Sequence, residues 1–225
     1  MPDPIRVHFG CGNTIGASWL NFDVSPMLKV ERIPLVGPLL HKAVGGGTPF
    51  PREVIYGNIS EKVLVPEGTA QAAYASHVLE HLTLEEAKRA IQNTYRMLAP
   101  GGVFRVIVPN LRTRVERYLK DLDSGDPEAA SNFMRYSLLG LEQRPRGLIR
   151  TLRRAFSGTP HLWMWDTVSM GAELARAGFV EVRECRFGDA ADPAFRELEN
   201  EARFVDTTLQ RPECAMEGRK PFKSA

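Results

Sequence analysis

Val7-His8-Phe9-Gly10-Cys11-Gly12-Asn13 runs from an apolar segment into a Gly-x-Gly turn. With no Cβ at either glycine, the backbone N–H groups of such a turn can approach a ligand closely. A dinucleotide fingerprint would place a third glycine at position 15, but that residue is Ile15 and Gly16 comes one position late. The spacing therefore counts against a nicotinamide dinucleotide and leaves a plain tight turn as the alternative. Asp23 closes the next apolar run, eleven residues after Gly12. A carboxylate there can accept from both hydroxyls of a ribose. The same residue ahead of Pro26 could instead cap a turn.

Three further groups have chemistry-bearing spacing. His77-x-x-Glu80-His81 matches the zinc-binding pattern of inverted zinc peptidases. A catalytic zinc also needs a third protein ligand and an open position. His161 and Asp166 flank Trp163 and Trp165, and aromatic walls beside an imidazole and a carboxylate suit a polar, ring-shaped acceptor. The competing reading makes the tryptophans a core plug and Asp166 the cap of a helix beginning at Thr167. Finally, Arg144 to Arg154 holds five arginines in eleven residues, with Leu148, Ile149, Leu152 and Phe156 on one side. A basic amphipathic helix over 144–156 would meet an anionic membrane or a phosphate-bearing acceptor, or else simply be a solvated surface.

The elements that must position these residues alternate short apolar runs with helical stretches, as in an α/β protein with a mainly parallel sheet. Strands are expected at 5–9, 20–23, 53–56, 71–75, 103–108 and 179–187, with a seventh at 213–218. The fourth is weak in β-branched residues. Thr83 and Glu86 form a capping box for a helix with apolar residues at Leu84, Ala87, Ile91, Thr94, Tyr95 and Leu98, stopped by Pro100-Gly101-Gly102. A second helix is expected over Thr167–Ala177, stopped by Gly178. Residues 26–51, with five prolines and Gly45-Gly46-Gly47, are too long for an ordinary connection and suggest a lid or insertion. Residues 111–160 suggest a helical insertion on the substrate side.

Composition narrows the function class. The 225 residues are 43% hydrophobic and 25% charged, the make-up of one water-soluble domain over 1–225. Lys plus Arg number 29 against 27 for Asp plus Glu, so charge gives no reason to expect nucleic acid. No run of about 18 apolar residues is present for a membrane span. Met1-Pro2-Asp3-Pro4 lacks the features of a signal peptide. Cys11, Cys185 and Cys214 form no C-x-x-C pair, so neither a disulfide framework nor a structural zinc is indicated and the cytoplasm is the expected compartment.

Taken in order, several of these segments resemble class I S-adenosylmethionine-dependent methyltransferases. The resemblance rests on Gly10-Cys11-Gly12-Asn13 with Trp19-Leu20-Asn21-Phe22-Asp23 and Ser25-Pro26, on Ser76-His77-Val78-Leu79-Glu80-His81-Leu82, and on Tyr95-Arg96-Met97-Leu98-Ala99-Pro100-Gly101-Gly102. His161-Leu162-Trp163-Met164-Trp165-Asp166 and Phe187-Gly188-Asp189 resemble one bacterial subgroup, often found beside genes for surface polysaccharides. The match spans roughly residues 5–220, and ordered motifs together are more specific than any single one.

That resemblance implies a Rossmann-like, doubly wound, mainly parallel seven-stranded sheet with helices on both faces and helical insertions forming a substrate lid. It implies S-adenosylmethionine as cofactor and methyl transfer to an oxygen or nitrogen of a small molecule or glycan. Gly10, Cys11 and Gly12 would pass the methionine portion, Asp23 would hold the ribose, and Asn58 and Ile59 would border the adenine. Asn13, Val24, Ser76 and His77 complete the expected cofactor contacts. Asn58 stands where the family commonly has Asp, and His8 where an acidic residue is often found. The flanks of His77-x-x-Glu80-His81 favour this family over a peptidase, so no metal is expected. His77 is the candidate general base, with His161 and Asp166 as acceptor-side candidates. The alternatives are a cofactor-binding module without transferase activity, and a cyclase or lyase using the same cofactor.

Overall fold

A computed structural model describes residues 4–35, 37, 39, 41, 48–143 and 160–222. In chain order the strands are β1 (Ile5–Phe9), β2 (Leu20–Asp23), β3 (Ile55–Tyr56), β4 (Ala70–Ser76), β5 (Leu98–Val108), β6 (Val180–Glu184), β7 (Val205–Asp206), β8 (Arg211–Pro212) and β9 (Cys214–Arg219). The described α-helices of named extent are α1 (Pro26–Glu31), α2 (Leu84–Met97), α3 (Leu111–Asp123), α4 (Ala129–Tyr136) and α5 (Thr167–Ala177). Among the described helices none is long and apolar enough to cross a membrane. The arginine-rich segment 144–156 lies outside the described residues.

Seven strands form one sheet in the order β3-β2-β1-β4-β5-β9-β6, and β7 pairs with β8 separately. Strands β1 to β5 run parallel, while β9 is antiparallel to both β5 and β6. The chain winds from β1 outward to β3, then returns to place β4 on the other side of β1. The carboxyl ends of β1 and β4 therefore flank the switch point, the crevice where open α/β sheets bind ligands.

Period-two alternation on β5 divides the interior. Phe104, Val106 and Val108 join Ile91 and Met97 of α2 and Met170 and Leu174 of α5 in the larger core. Ile107 faces the other way, with Trp19, Tyr74, Phe195, Leu198 and Phe204. Two short 3-10 turns, Pro193–Glu197 and Glu201–Arg203, supply part of that second cover. Phe195 matters here because its ring packs on both Tyr74 and Trp19 and closes that face, while Phe204 meets Phe187.

Local signals hold at both main helices. Thr83 and Glu86 make the reciprocal capping box of α2, and Gly178 ends α5 in the left-handed region at φ 104°. The end of α2 differs from expectation. The helix stops at Met97, and Leu98 enters β5 directly, with Pro100-Gly101-Gly102 inside the strand. The carbonyls released there are collected by Lys220, whose ammonium donates to Tyr95 O at 2.8 Å and Leu98 O at 2.7 Å. A side chain from beyond β9 thus replaces a glycine cap. Strands β3 and β6 are shorter than expected because each pairs on one side only. The expected insertion at 111–160 contributes α3 and α4, and that at 26–51 begins with α1.

Arg105 occupies the second face and is wholly buried. Its guanidinium reaches Glu217 at 2.7 Å, Asp189 at 2.9 Å and the equally buried Glu199 at 2.7 Å, and it donates to Arg186 O at 3.0 Å. Removing one member of such a group leaves an uncompensated buried charge. Arg105→Ala is expected to lower unfolding stability by about 3–5 kcal/mol. Urea denaturation reads this as a lower midpoint at unchanged slope. Adding Glu199→Leu should recover part of the loss.

Candidate functional site

Beyond Phe9 the chain turns at Gly10 (φ 65°) and Gly12 (φ 53°), both left-handed. A Cβ at Gly10 would overlap the side chain of Val78, which follows β4, so the turn is pressed against the neighbouring strand's exit. At Gly12 a Cβ would meet nothing within 4 Å. Asp23 joins this turn to the next. Its Oδ2 accepts from Gly12 N–H at 2.8 Å and its Oδ1 from Ser25 N–H at 2.7 Å. Each oxygen keeps acceptor capacity for a further donor. Val24 is exposed beside it, and Asn13 donates to Thr48 O at 3.1 Å. Cys11 is a packing residue: burial pushes its thiol up to about 12, which removes it as a nucleophile.

The third turn is coupled to the second through Gly57 N–H, which donates to Asp23 O at 3.1 Å. Here the Asn58 expectation needs correction. Its amide oxygen already accepts from Ser60 N–H at 3.0 Å and Ser60 Oγ–H at 2.8 Å, while its Nδ2 donates to Glu61 at 2.9 Å. Both lone pairs are used, so the side chain shapes the turn. Ile59 has its side chain in the larger core, and its carbonyl accepts from Asn93 of α2 at 2.8 Å. His8 likewise turns away from the glycines. It packs against Tyr74 and meets Asn21 Oδ1 at 3.3 Å, and burial pushes its pKa down to about 4.

At the tip of β4, Ser76 Oγ is buried without a hydrogen-bond partner. His77 follows at φ 56°, a strained conformation for a residue with a Cβ. Its backbone N–H donates to Ile107 O at 2.8 Å. Its Nε2–H donates to Arg203 O at 3.1 Å, and its Nδ1 lies 3.4 Å from Glu80 Oε1. Burial pulls the pKa of His77 down, yet Glu80, the Arg203 carbonyl and the charge of Glu213 together hold it above the ordinary histidine value. Residues 77–81 are not an α-helix: only Leu79–His81 forms a 3-10 turn. His77 and His81 therefore do not share a helical face as they would in a peptidase.

Glu80 is fully buried. Its carbonyl accepts from Leu162 N–H at 2.7 Å and Trp163 N–H at 3.2 Å, which brings His161 beside it. The His161 and His81 rings stand 5.1 Å apart, centroid to centroid. A cavity of about 550 Å³ is lined by His77, Arg114, Tyr136, His161, Arg203 and Glu213, among others. Arg114 of α3 is held in that wall by Glu213 at 2.9 Å and Asp206 at 2.6 Å. Sequence analysis singled out none of Arg114, Arg203, Asp206 and Glu213. They converge from distant segments, and nothing in their local spacing marks them.

Asp166 is absent from this cavity's lining. It caps α5, accepting from Ser169 N–H at 2.7 Å while its own N–H donates to Ser169 Oγ at 3.0 Å. The Ser169 N–H holds its carboxyl below the usual range. The acceptor-side expectation for Asp166 thus gives way to the helix-cap reading. Trp165 is buried in the core, and Trp163 borders a different cavity of about 560 Å³ with Leu84, Lys88, Glu173 and Arg176. The tryptophans and His161 do not form one wall.

Comparison with known proteins places this geometry in context. A family described as a methyltransferase domain matches residues 8–184. None of the curated proteins matches the chain. Similar solved structures include an S-adenosylmethionine-dependent methyltransferase from Archaeoglobus fulgidus, at 12% identity and TM-score 0.47, covering 97% of this chain and 87% of that one. A second, from Thermotoga maritima, has 13% identity and TM-score 0.44, with coverage of 98% and 83%. The YcgJ protein of the genus Bacillus has 11% identity and TM-score 0.49, with coverage of 97% and 92%.

The depressed pKa of His8 makes stability depend on pH. The folded state disfavours the protonated ring, so its contribution is full above the unfolded value of 6.5 and is lost as pH falls towards about 4. The loss attributable to His8 is expected to be about 3 kcal/mol. His8→Phe should flatten the stability profile over that interval in chemical denaturation.

Proposed function

The chain belongs to the methyltransferase domain family, and on that premise we propose that it moves a methyl group from S-adenosylmethionine to an oxygen or nitrogen of a small polar molecule or glycan. One juxtaposition carries this reading. The Gly10–Gly12 turn, Asp23 and Ser76 share the switch-point crevice, and His77 at its edge lines a polar cavity. The open space at Gly12, the remaining acceptor capacity of Asp23 and the unpartnered Ser76 Oγ suit a nucleoside bearing a diol and an amino-acid tail. When bound, S-adenosylmethionine supplies an electrophilic methyl group on a sulfonium.

In this reading Gly10, Cys11, Gly12 and Asn13 hold the amino-acid end through backbone and amide groups. Asp23 with Val24 receives the ribose hydroxyls, and the turn at Asn58 and Ile59 borders the adenine through its backbone. The chain's main work is alignment of the acceptor and exclusion of water. Arg114 and Arg203 line the acceptor side, and His161 stands at its wall. His77 in its neutral form takes the acceptor's proton and becomes the imidazolium, which Glu80 beside it stabilises. The resemblance of 161–166 and 187–189 to a polysaccharide-associated subgroup favours a glycan acceptor. We place the protein in the cytoplasm as a single domain. Through 144–156, an anionic membrane or a phosphate-bearing acceptor is the further partner of this reading.

A second reading is a cofactor-binding module without transfer, favoured by the committed amide of Asn58 and the neutral His8. Calorimetry with S-adenosylmethionine and S-adenosylhomocysteine, followed by product mass spectrometry, separates the cases. Binding with methylated acceptor supports transfer, binding without turnover supports the module, and product formed without any acceptor points to a lyase or cyclase.

Gly12→Ala is expected to keep the fold at a cost of about 1–2 kcal/mol while lowering S-adenosylhomocysteine affinity by about tenfold or more. Asp23→Ala should weaken binding at least as much, and full affinity in both variants would refute the crevice assignment. His77→Ala should lower turnover by about 10²-fold. It should also abolish the rise in rate as pH climbs through a pKa above 6.5. An unchanged pH profile would remove His77 from proton transfer.

A further inference from the structure

Glu80 presents an unresolved electrostatic arrangement. Its side chain is fully buried, and neither carboxylate oxygen has a hydrogen-bond partner. His77 Nδ1 at 3.4 Å and His81 Nε2 at 3.9 Å lie at ion-pair range from Oε1, without hydrogen-bond alignment. His161 Nδ1 is also partnerless in a residue only 8% exposed. A buried carboxylate facing imidazole nitrogens requires a cation between them, either protons on the rings or a metal ion.

The rings are arranged for the second option. His81 Nδ1 lies 3.5 Å from Pro160 O, a carbonyl that can only accept, so Nδ1–H points there and Nε2 is the ring atom turned towards Glu80. His161 Nδ1, buried and without a hydrogen-bond partner, can present a lone pair to an ion. Metal-ligating histidines characteristically donate their other N–H to a carbonyl or carboxylate, which fixes tautomer and orientation. Glu80, His81 and His161 each offer one ligand atom, and these atoms lie within 4.8 Å of one another. Metal–ligand bonds of about 2.0–2.2 Å require those atoms to draw in around the ion as it binds.

We propose that Glu80, His81 and His161 form a binding site for one divalent transition-metal ion. Two imidazoles and one carboxylate suit zinc, with manganese and ferrous iron as other ions taking this donor set. The ligand set differs from that of the peptidase pattern: Glu80 and His81 are joined by His161, eighty residues after His81. His77 stays outside the ligand set, its Nε2 tied to Arg203 O and its Nδ1 3.4 Å from Glu80 Oε1. Because His161 lines the 550 Å³ cavity, the ion would stand at the acceptor's wall. Lowering the pKa of an acceptor hydroxyl there is the consequence that rests on the methyl-transfer reading. Metal binding itself does not depend on that reading.

The test is calorimetric titration of the chelator-treated full chain with zinc chloride, with metal content measured by mass spectrometry. One equivalent should bind at micromolar affinity or tighter and raise the melting temperature. His161→Ala and His81→Ala should each weaken binding by about 100-fold, whereas His77→Ala should change it by less than about tenfold. Circular dichroism and S-adenosylhomocysteine titration of each variant distinguish ligand loss from misfolding and from failure of the cofactor reading. Absence of zinc binding to the folded wild-type chain, or equal affinity in His161→Ala, overturns the proposal. Loss confined to His77→Ala also overturns it.

Discussion

Two parallel strand ends, β1 and β4, must emerge side by side at the switch point, and the space between them is narrow enough that Gly10 has no room for a Cβ against Val78. That close approach fixes the course of everything that follows each strand. After β1 it forces a left-handed turn, which directs Gly12 N–H onto the Asp23 carboxylate. After β4 it turns the chain sharply at His77, so that Glu80 is drawn into the interior. One steric constraint thus sets the turn after β1 and the Glu80 cluster after β4 together.

Asp23 illustrates how binding and folding share a group. Its two oxygens hold the backbone of two successive turns, and its carbonyl accepts from Gly57 at the third. A ligand diol would use acceptor capacity the carboxylate already has in place, so little reorganisation is required on binding. Asn58 does the opposite. Its side chain spends all its acceptor capacity on Ser60 and so serves the turn itself.

Buried charge divides the molecule into two kinds of site. Arg105 and Arg114 are surrounded by carboxylates at hydrogen-bond distance, so their burial is compensated within the chain and they join distant segments into one body. Glu80 is buried among imidazoles without an aligned donor. In a low-dielectric interior an uncompensated carboxylate is costly, and such a cost is sustained where the environment supplies a cation. That contrast separates the two arginines, each held by carboxylates, from Glu80 among its imidazoles.

Legible along the chain are the alternation of strand and helix, the capping box at Thr83 and Glu86, the stop at Gly178, and the Gly-x-Gly turn with Asp23 behind it. Each of these depends on residues within a few positions of one another, so spacing alone reveals it. The weakly β-forming β4 became a central strand because pairing on both sides outweighs propensity. Tertiary packing alone settles that His161 meets Glu80 and that Arg114, Arg203 and Glu213 line a single cavity. Those meetings join residues many tens of positions apart. Their partners are selected by strand order and by which face of the sheet each segment covers, and neither is written in local spacing.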